Sequence, residues 1–71
     1  MATQVDARGL SCPQPVILAK QAITAGAFPI EILVDTVTSR ENVRRLAERM
    51  GLAVEVEDAG GGFRLTLAKA E

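Results

Sequence analysis

The chain's single cysteine, Cys12, is followed at once by Pro13, Gln14 and Pro15 in the stretch DARGLSCPQP, residues 6 to 10 and onward to Pro15. A thiol becomes a nucleophile when its surroundings favour the thiolate, and this spacing supplies such surroundings. Proline is favoured in the first turn of a helix, because its missing N–H would be unpaired there anyway. Pro13 also drives Cys12 out of the α region, which suits a helix N-cap. The two prolines remove two first-turn donors, so the nearest free ones are the N–H groups of Gln14 and Val16. The dipole of the helix adds about half a positive charge at this end. The prolines stiffen the bend, and Gly9 permits a tight turn that leaves Cys12 little cover. Pro15 disfavours α geometry at Gln14, which moves the expected start of the regular helix by a residue or two. The competing reading is a buried packing cysteine, the commoner role of a lone free thiol in a small domain. A strand-to-helix junction with polar neighbours makes poor core surroundings.

The rest of the composition narrows what a thiolate at this place can do. There is no histidine, so a Cys-His dyad, a zinc-histidine site and a Ser-His-Asp triad are all excluded. No second cysteine is present to resolve a disulfide within the chain, and the disulfide-stapled secreted class is excluded with it. What fits is a carrier: the thiolate takes up a sulfur atom as a persulfide and hands it to a cysteine of another protein. That role needs one exposed sulfur of low pKa and a docking surface. It needs no substrate pocket, no metal and no cofactor.

The chain has 71 residues, 48% of them hydrophobic, and a formal net charge of −1. A domain this small buries only about 60% of the surface of its unfolded chain, enough for one sheet packed on one helical layer. The charge gives no global attraction to nucleic acid or anionic membrane, and two Phe without Trp or Tyr provide almost no stacking platform for bases. The N-terminus is polar and no apolar run approaches about 18 residues, so a soluble cytoplasmic protein is expected, built as a single domain over residues 1–71.

The periodicities that must position Cys12 alternate strand and helix. Residues 4–8 alternate polar and apolar and read as a strand. Residues 13–26 read as a helix closed by Gly26, with Val16, Leu18, Ala19, Ala22, Ile23 and Ala25 on one half and Lys20, Gln21 and Thr24 on the other. Ile17 falls among the polar residues. Residues 30–35 form a second strand, apolar enough for a central place. A second helix is framed by a capping box of Thr38 and Glu41 and by Gly51 after its end, with an apolar stripe of Val43, Leu46, Ala47 and Met50. Residues 52–58 and 63–68 pair as a hairpin across residues 59–62. Leu52, Val54, Val56, Phe63, Leu65 and Leu67 are expected inside, and Glu55, Glu57, Arg64 and Thr66 outside and able to pair across the strands. The predicted fold is α+β: a βαβαββ two-layer sandwich with a four-stranded mixed sheet and two helices on one face.

With these residues in view, LSCPQPVI resembles the Cys-Pro-x-Pro signature of the TusA/SirA/YedF family of small sulfur-carrier proteins. The likeness runs through VDARGLSCPQPVILAKQAI, IEILVD, ENVRRLAERMG and the closing hairpin. The ENVRRLAERMG segment is most similar to the N-terminal domain of YedF-type proteins, in which a DsrE-like domain usually follows. The resemblance implies the same βαβαββ sandwich and a persulfide on Cys12. Pro13 and Pro15 match the motif prolines, and Asp6, Gly9 and Leu10 match the turn before it. It also implies partners: a sulfur donor of the cysteine desulfurase or rhodanese type, and an acceptor such as a DsrE-like protein, in pathways that include tRNA thiolation.

The surface that would meet those partners has two readings at each point. Arg40, Arg44, Arg45 and Arg49 stand on the second helix beside Glu41 and Glu48. They form either a solvated face paired within itself, Arg44 with Glu48 and Arg45 with Glu41, or a basic docking patch. Ile17 is either an ordinary exposed apolar residue or, with Lys20 and Gln14, the rim of a docking site beside Cys12. Asp6 and Arg8 form a loop brace, or Arg8 steadies a persulfide anion. Asp35 is expected to shape the loop before the second helix. A monomer without direct nucleic-acid or membrane contact is expected. The other functional classes are a non-catalytic interaction or regulatory module with a structural cysteine, and an RNA-binding domain, by fold analogy with the C-terminal domain of translation initiation factor 3.

Overall fold

A computed structural model describes residues 3–10, 14–26 and 28–69. Its elements are β1 (Thr3–Asp6), α1 (Gln14–Ala25), β2 (Ile30–Val34), α2 (Val37–Arg49), β3 (Leu52–Asp58) and β4 (Phe63–Lys69). The four strands form one sheet in the order β1-β2-β4-β3. β1 runs parallel to β2, and β4 is antiparallel to both β2 and β3. The α+β sandwich and its βαβαββ order are therefore as the sequence predicts. The central place of β2 follows from its burial: Ile30, Ile32 and Val34 are buried completely.

The core lies between the sheet and the two helices. Ala19 and Ile23 of α1 and Val43 and Ala47 of α2 meet Ile30, Ile32, Val34, Leu65 and Leu67 of the sheet, with Ala7 at the end of β1. Each fully buried Val, Leu or Ile side chain contributes about 1.5–3 kcal/mol relative to exposure, so these few side chains dominate the cohesion of a small domain. The outer face carries the polar alternates. Glu57 and Arg64 face each other across β3 and β4, and the Arg64 Nε donates to Glu57 Oε1 at 3.1 Å, the cross-strand pairing expected from the alternation.

Several details differ from the sequence reading. The N-cap of α2 is Thr36, not Thr38: the Thr36 hydroxyl accepts from the Ser39 amide at 3.0 Å. Glu41, the other half of the expected box, is turned outward to Arg40 and Arg44 instead. Met50 and Val56 are exposed rather than inside, and so is Ala25. Met50 is the C-cap of α2 and lies past the stripe that faces the sheet. Val56 is on β3, which closes the order of strands as an edge. Gly51 does end α2 as expected, in the left-handed conformation at φ 78°, its N–H donating to the Glu48 carbonyl at 3.0 Å.

Candidate functional site

Cys12 and Pro13, with Ser11, lie outside the described residues. The site is therefore built from what stands on either side of them. Upstream, β1 ends at Asp6, and the parallel ladder continues one step further through the Ala7 amide, which donates to the Leu33 carbonyl at 2.8 Å. Ala7 is fully buried, which fixes the exit of the strand against the core. Arg8 then turns back on Asp6. Its backbone amide donates to Asp6 Oδ1 at 3.1 Å, its Nε to the same oxygen at 2.9 Å and its Nη2 to Oδ2 at 2.8 Å. This grip, first through the side-chain bond and then through the backbone bond, holds the Asp6 carboxyl at about 2, below its ordinary 3.8. The guanidinium is raised above its ordinary value by the same carboxylate. The brace reading of Asp6 and Arg8 is thus realised in geometry, with the Nε–Nη2 edge of the Arg8 guanidinium set on Asp6.

Gly9 follows at φ 78°, in the left-handed region. A Cβ on Gly9 would meet nothing within 4 Å, so the conformation and not the space calls for glycine. Its amide donates to Asp35 Oδ2 at 2.8 Å. Asp35 is therefore not confined to the loop before α2; it reaches across to the loop after β1. No local pattern in the sequence signals this contact, because the partners are 26 residues apart. Leu10, exposed, is the last described residue before Ser11.

Downstream, α1 starts at Gln14, although Pro15 follows it. Pro15 is fully buried. It acts as an anchor of the first turn in the core as well as a stiffener, a role that its composition alone does not reveal. Gln14 is exposed, and Ile17, at 43% exposure, stands one turn along the same helix with Lys20, Gln21 and Thr24. Ile17, Lys20, Gln21 and Thr24 line an open, mainly apolar groove. The predicted rim residues Gln14, Ile17 and Lys20 are thus all exposed on α1.

The arginines of α2 divide into two sets. Arg44 Nη1 binds Glu48 at 3.0 Å and its Nε binds Glu41 at 3.2 Å, while Arg40 Nη2 binds Glu41 at 3.1 Å. Arg40 also lies over the Phe63 ring, 4.6 Å from its centroid. These contacts lower the Glu41 pKa, chiefly through the bond from Arg44. Arg45 and Arg49 are exposed and make no ion pair among the described residues, so the expected Arg45–Glu41 pair does not form. Also among the described residues, no three His, Cys, Asp or Glu side chains are grouped to hold a metal ion, and no helix is long and apolar enough to cross a membrane.

Comparison with known proteins agrees with this architecture. Residues 3–69 match the family model described as sulfurtransferase TusA. A crystal structure of a SirA-like protein from Desulfitobacterium hafniense superposes with a TM-score of 0.84 at 36% sequence identity, covering 100% of both chains. No curated protein matches the chain. Sequence pattern, strand order and family match converge: the chain belongs to the TusA (SirA-like) family of sulfurtransferases.

Proposed function

We propose that this chain is a cytoplasmic sulfur carrier that holds sulfane sulfur as a persulfide on Cys12 and passes it to a cysteine of an acceptor protein. The observation that carries this reading is the family match over residues 3–69, because it spans the Cys-Pro-Gln-Pro segment in a chain with no other thiol. The chemistry is a displacement at sulfur. The Cys12 thiolate attacks the outer sulfur of a donor persulfide, R–S–SH. A new S–S bond forms to Cys12, the donor's S–S bond breaks, and the donor leaves as its thiolate. The acceptor's thiolate then repeats the step on Cys12–S–SH and restores the Cys12 thiolate. Electrons and charge balance at each step, with no further oxidant or reductant.

The residues around Cys12 support this role by holding its flanks. Arg8 and Asp6 brace the end of β1, Gly9 makes the turn, and the buried Pro15 fixes the start of α1. A thiolate two residues ahead of Gln14 draws on the positive end of α1. Donor and acceptor dock, in this reading, on the α1 rim of Gln14, Ile17 and Lys20 and on the arginines of α2. Arg40 and Arg44 share their charge with Glu41 and Glu48, so Arg45, beside Arg49, contributes most of the unpaired positive charge. The donor is of the cysteine desulfurase or rhodanese type, and the acceptor is a sulfurtransferase such as a DsrE-like protein, in a relay of the kind that feeds tRNA thiolation.

The test follows a labelled atom. The protein is loaded from a desulfurase and ³⁵S-cysteine, freed of donor, and mixed with a DsrE-like acceptor. Label is expected to leave this protein and appear on the acceptor, and Cys12→Ser is expected to carry none. Label that never reaches any acceptor from the loaded protein contradicts the relay.

A further inference from the structure

We propose that Asp35 is a positioning residue for the Cys12 segment, acting through its carboxylate on the amide of Gly9. The proposal deepens the sulfur-carrier reading and rests on Cys12 being the reactive group.

Two contacts make Asp35 the fixed point at this end of the sheet. The first is the 2.8 Å bond from the Gly9 N–H to Asp35 Oδ2, which joins the loop after β1 to the loop after β2. A hydrogen bond to a charged acceptor is about twice as strong as a neutral one. The second is at the backbone of Val34 and Asp35. Gly62, the last residue of the β3–β4 turn, packs so closely that a Cβ on it would lie 2.5 Å from the Val34 carbonyl oxygen and 3.2 Å from the Asp35 Cα. The hairpin turn therefore passes close to the backbone at Val34 and Asp35, and the Asp35 carboxylate in turn accepts from the backbone of Gly9. Three loops thus come together at one end of the sheet, two of them joined by the Gly9–Asp35 bond.

Gly9 is where such a hold matters. Glycine in the left-handed region has the widest backbone freedom, and the chain between the buried Ala7 and the buried Pro15 has no other described long-range hydrogen bond from its backbone. Without the Asp35 acceptor, the turn at Gly9 gains backbone conformations, and the chain leaves it in more than one direction. For a step that joins two proteins through single sulfur atoms, a displacement of about 1 Å costs up to about a hundredfold in rate. Asp35 touches no reacting atom in this account; it sets where the segment begins.

Two substitutions separate the hydrogen bond from the charge. Asp35→Asn removes the charge but keeps an oxygen able to accept from Gly9, whereas Asp35→Ala removes both. The readout is the pH profile of Cys12 alkylation by iodoacetamide, with thermal midpoints measured alongside; Asp35→Leu, which also lacks an acceptor, replaces the alanine variant if that one does not fold. The thiol of Asp35→Ala is expected to titrate above that of Asp35→Asn, nearer the ordinary value of about 8.5. Persulfide uptake at saturating desulfurase is expected to fall about tenfold in Asp35→Ala and to be restored in Asp35→Asn. Coincident alkylation profiles in the two variants overturn the proposal. Alkylation requires no sulfur donor, so the positioning role is decided by it even if the wild-type protein takes up no sulfur, an outcome that would remove the carrier reading by itself.

Discussion

Arg8 holds Asp6 by side chain and backbone together: Nε lies 2.9 Å and the amide nitrogen 3.1 Å from the same carboxylate oxygen. Both side chains are exposed, so solvent screens the pair and its worth lies in geometry more than in stability. The sign of its pH dependence is set by the lowered Asp6 pKa. The ionised, gripped form is fully present above the ordinary value of 3.8 and is lost as pH falls through about 2. A carbon-detected NMR titration of the Asp6 carboxyl is expected to give a midpoint near 2 in the wild-type protein, and a higher one, still below 3.8, in Arg8→Leu, which loses the side-chain bonds and keeps the backbone bond. An Arg8→Leu midpoint still near 2 would assign the depression to something other than the Arg8 side chain.

The cap of α2 separates two threonines that the sequence places two residues apart. Thr36 accepts from the Ser39 amide, and Thr38 is exposed inside the first turn. Thr36→Ala is expected to cost about 1 kcal/mol, and Thr38→Ala a few tenths at most. In a domain of this size the first change lowers the thermal midpoint by about 5 °C. Equal effects of the two, measured by thermal unfolding, would remove the assignment.

That pair shows where sequence reading succeeds and where it stops. A Thr followed three residues later by Glu is the stronger local signal, and it pointed to Thr38 and Glu41. It loses because Glu41 is engaged by Arg40 and Arg44 on the helix surface. Patterns with a fixed period were legible: the Val43 and Ala47 stripe, the alternation of β4 that buries Leu65 and Leu67, and the Glu57–Arg64 pair all stand as expected. Period alone does not say which strand is an edge. The insertion of β4 between β2 and β3 leaves Val56 on the outer strand and exposed. Of the site, the exposure of Ile17 and Lys20 was legible from the helical wheel. The Asp35–Gly9 bond and the burial of Pro15 were not, since both depend on packing between segments distant in sequence.

Ile17 tests the docking surface apart from the chemistry. It is an exposed apolar side chain on the α1 face that also carries Lys20, beside an open groove. Ile17→Asp is expected to raise the KM for a desulfurase donor about tenfold, the scale of an interface anchor. Alkylation of Cys12 by iodoacetamide is expected to stay as in the wild-type protein. A transfer rate unaffected at subsaturating donor would remove Ile17 from the interface.

The central claim is that Cys12 itself receives the sulfur. Intact-mass spectrometry after incubation with a cysteine desulfurase and cysteine measures this most directly. The account predicts a gain of about 32 Da, one sulfur on one thiol, that is released by reductant and absent in Cys12→Ser. A wild-type protein that gains no mass from desulfurase or rhodanese donors, or a gain that persists in Cys12→Ser, would contradict it.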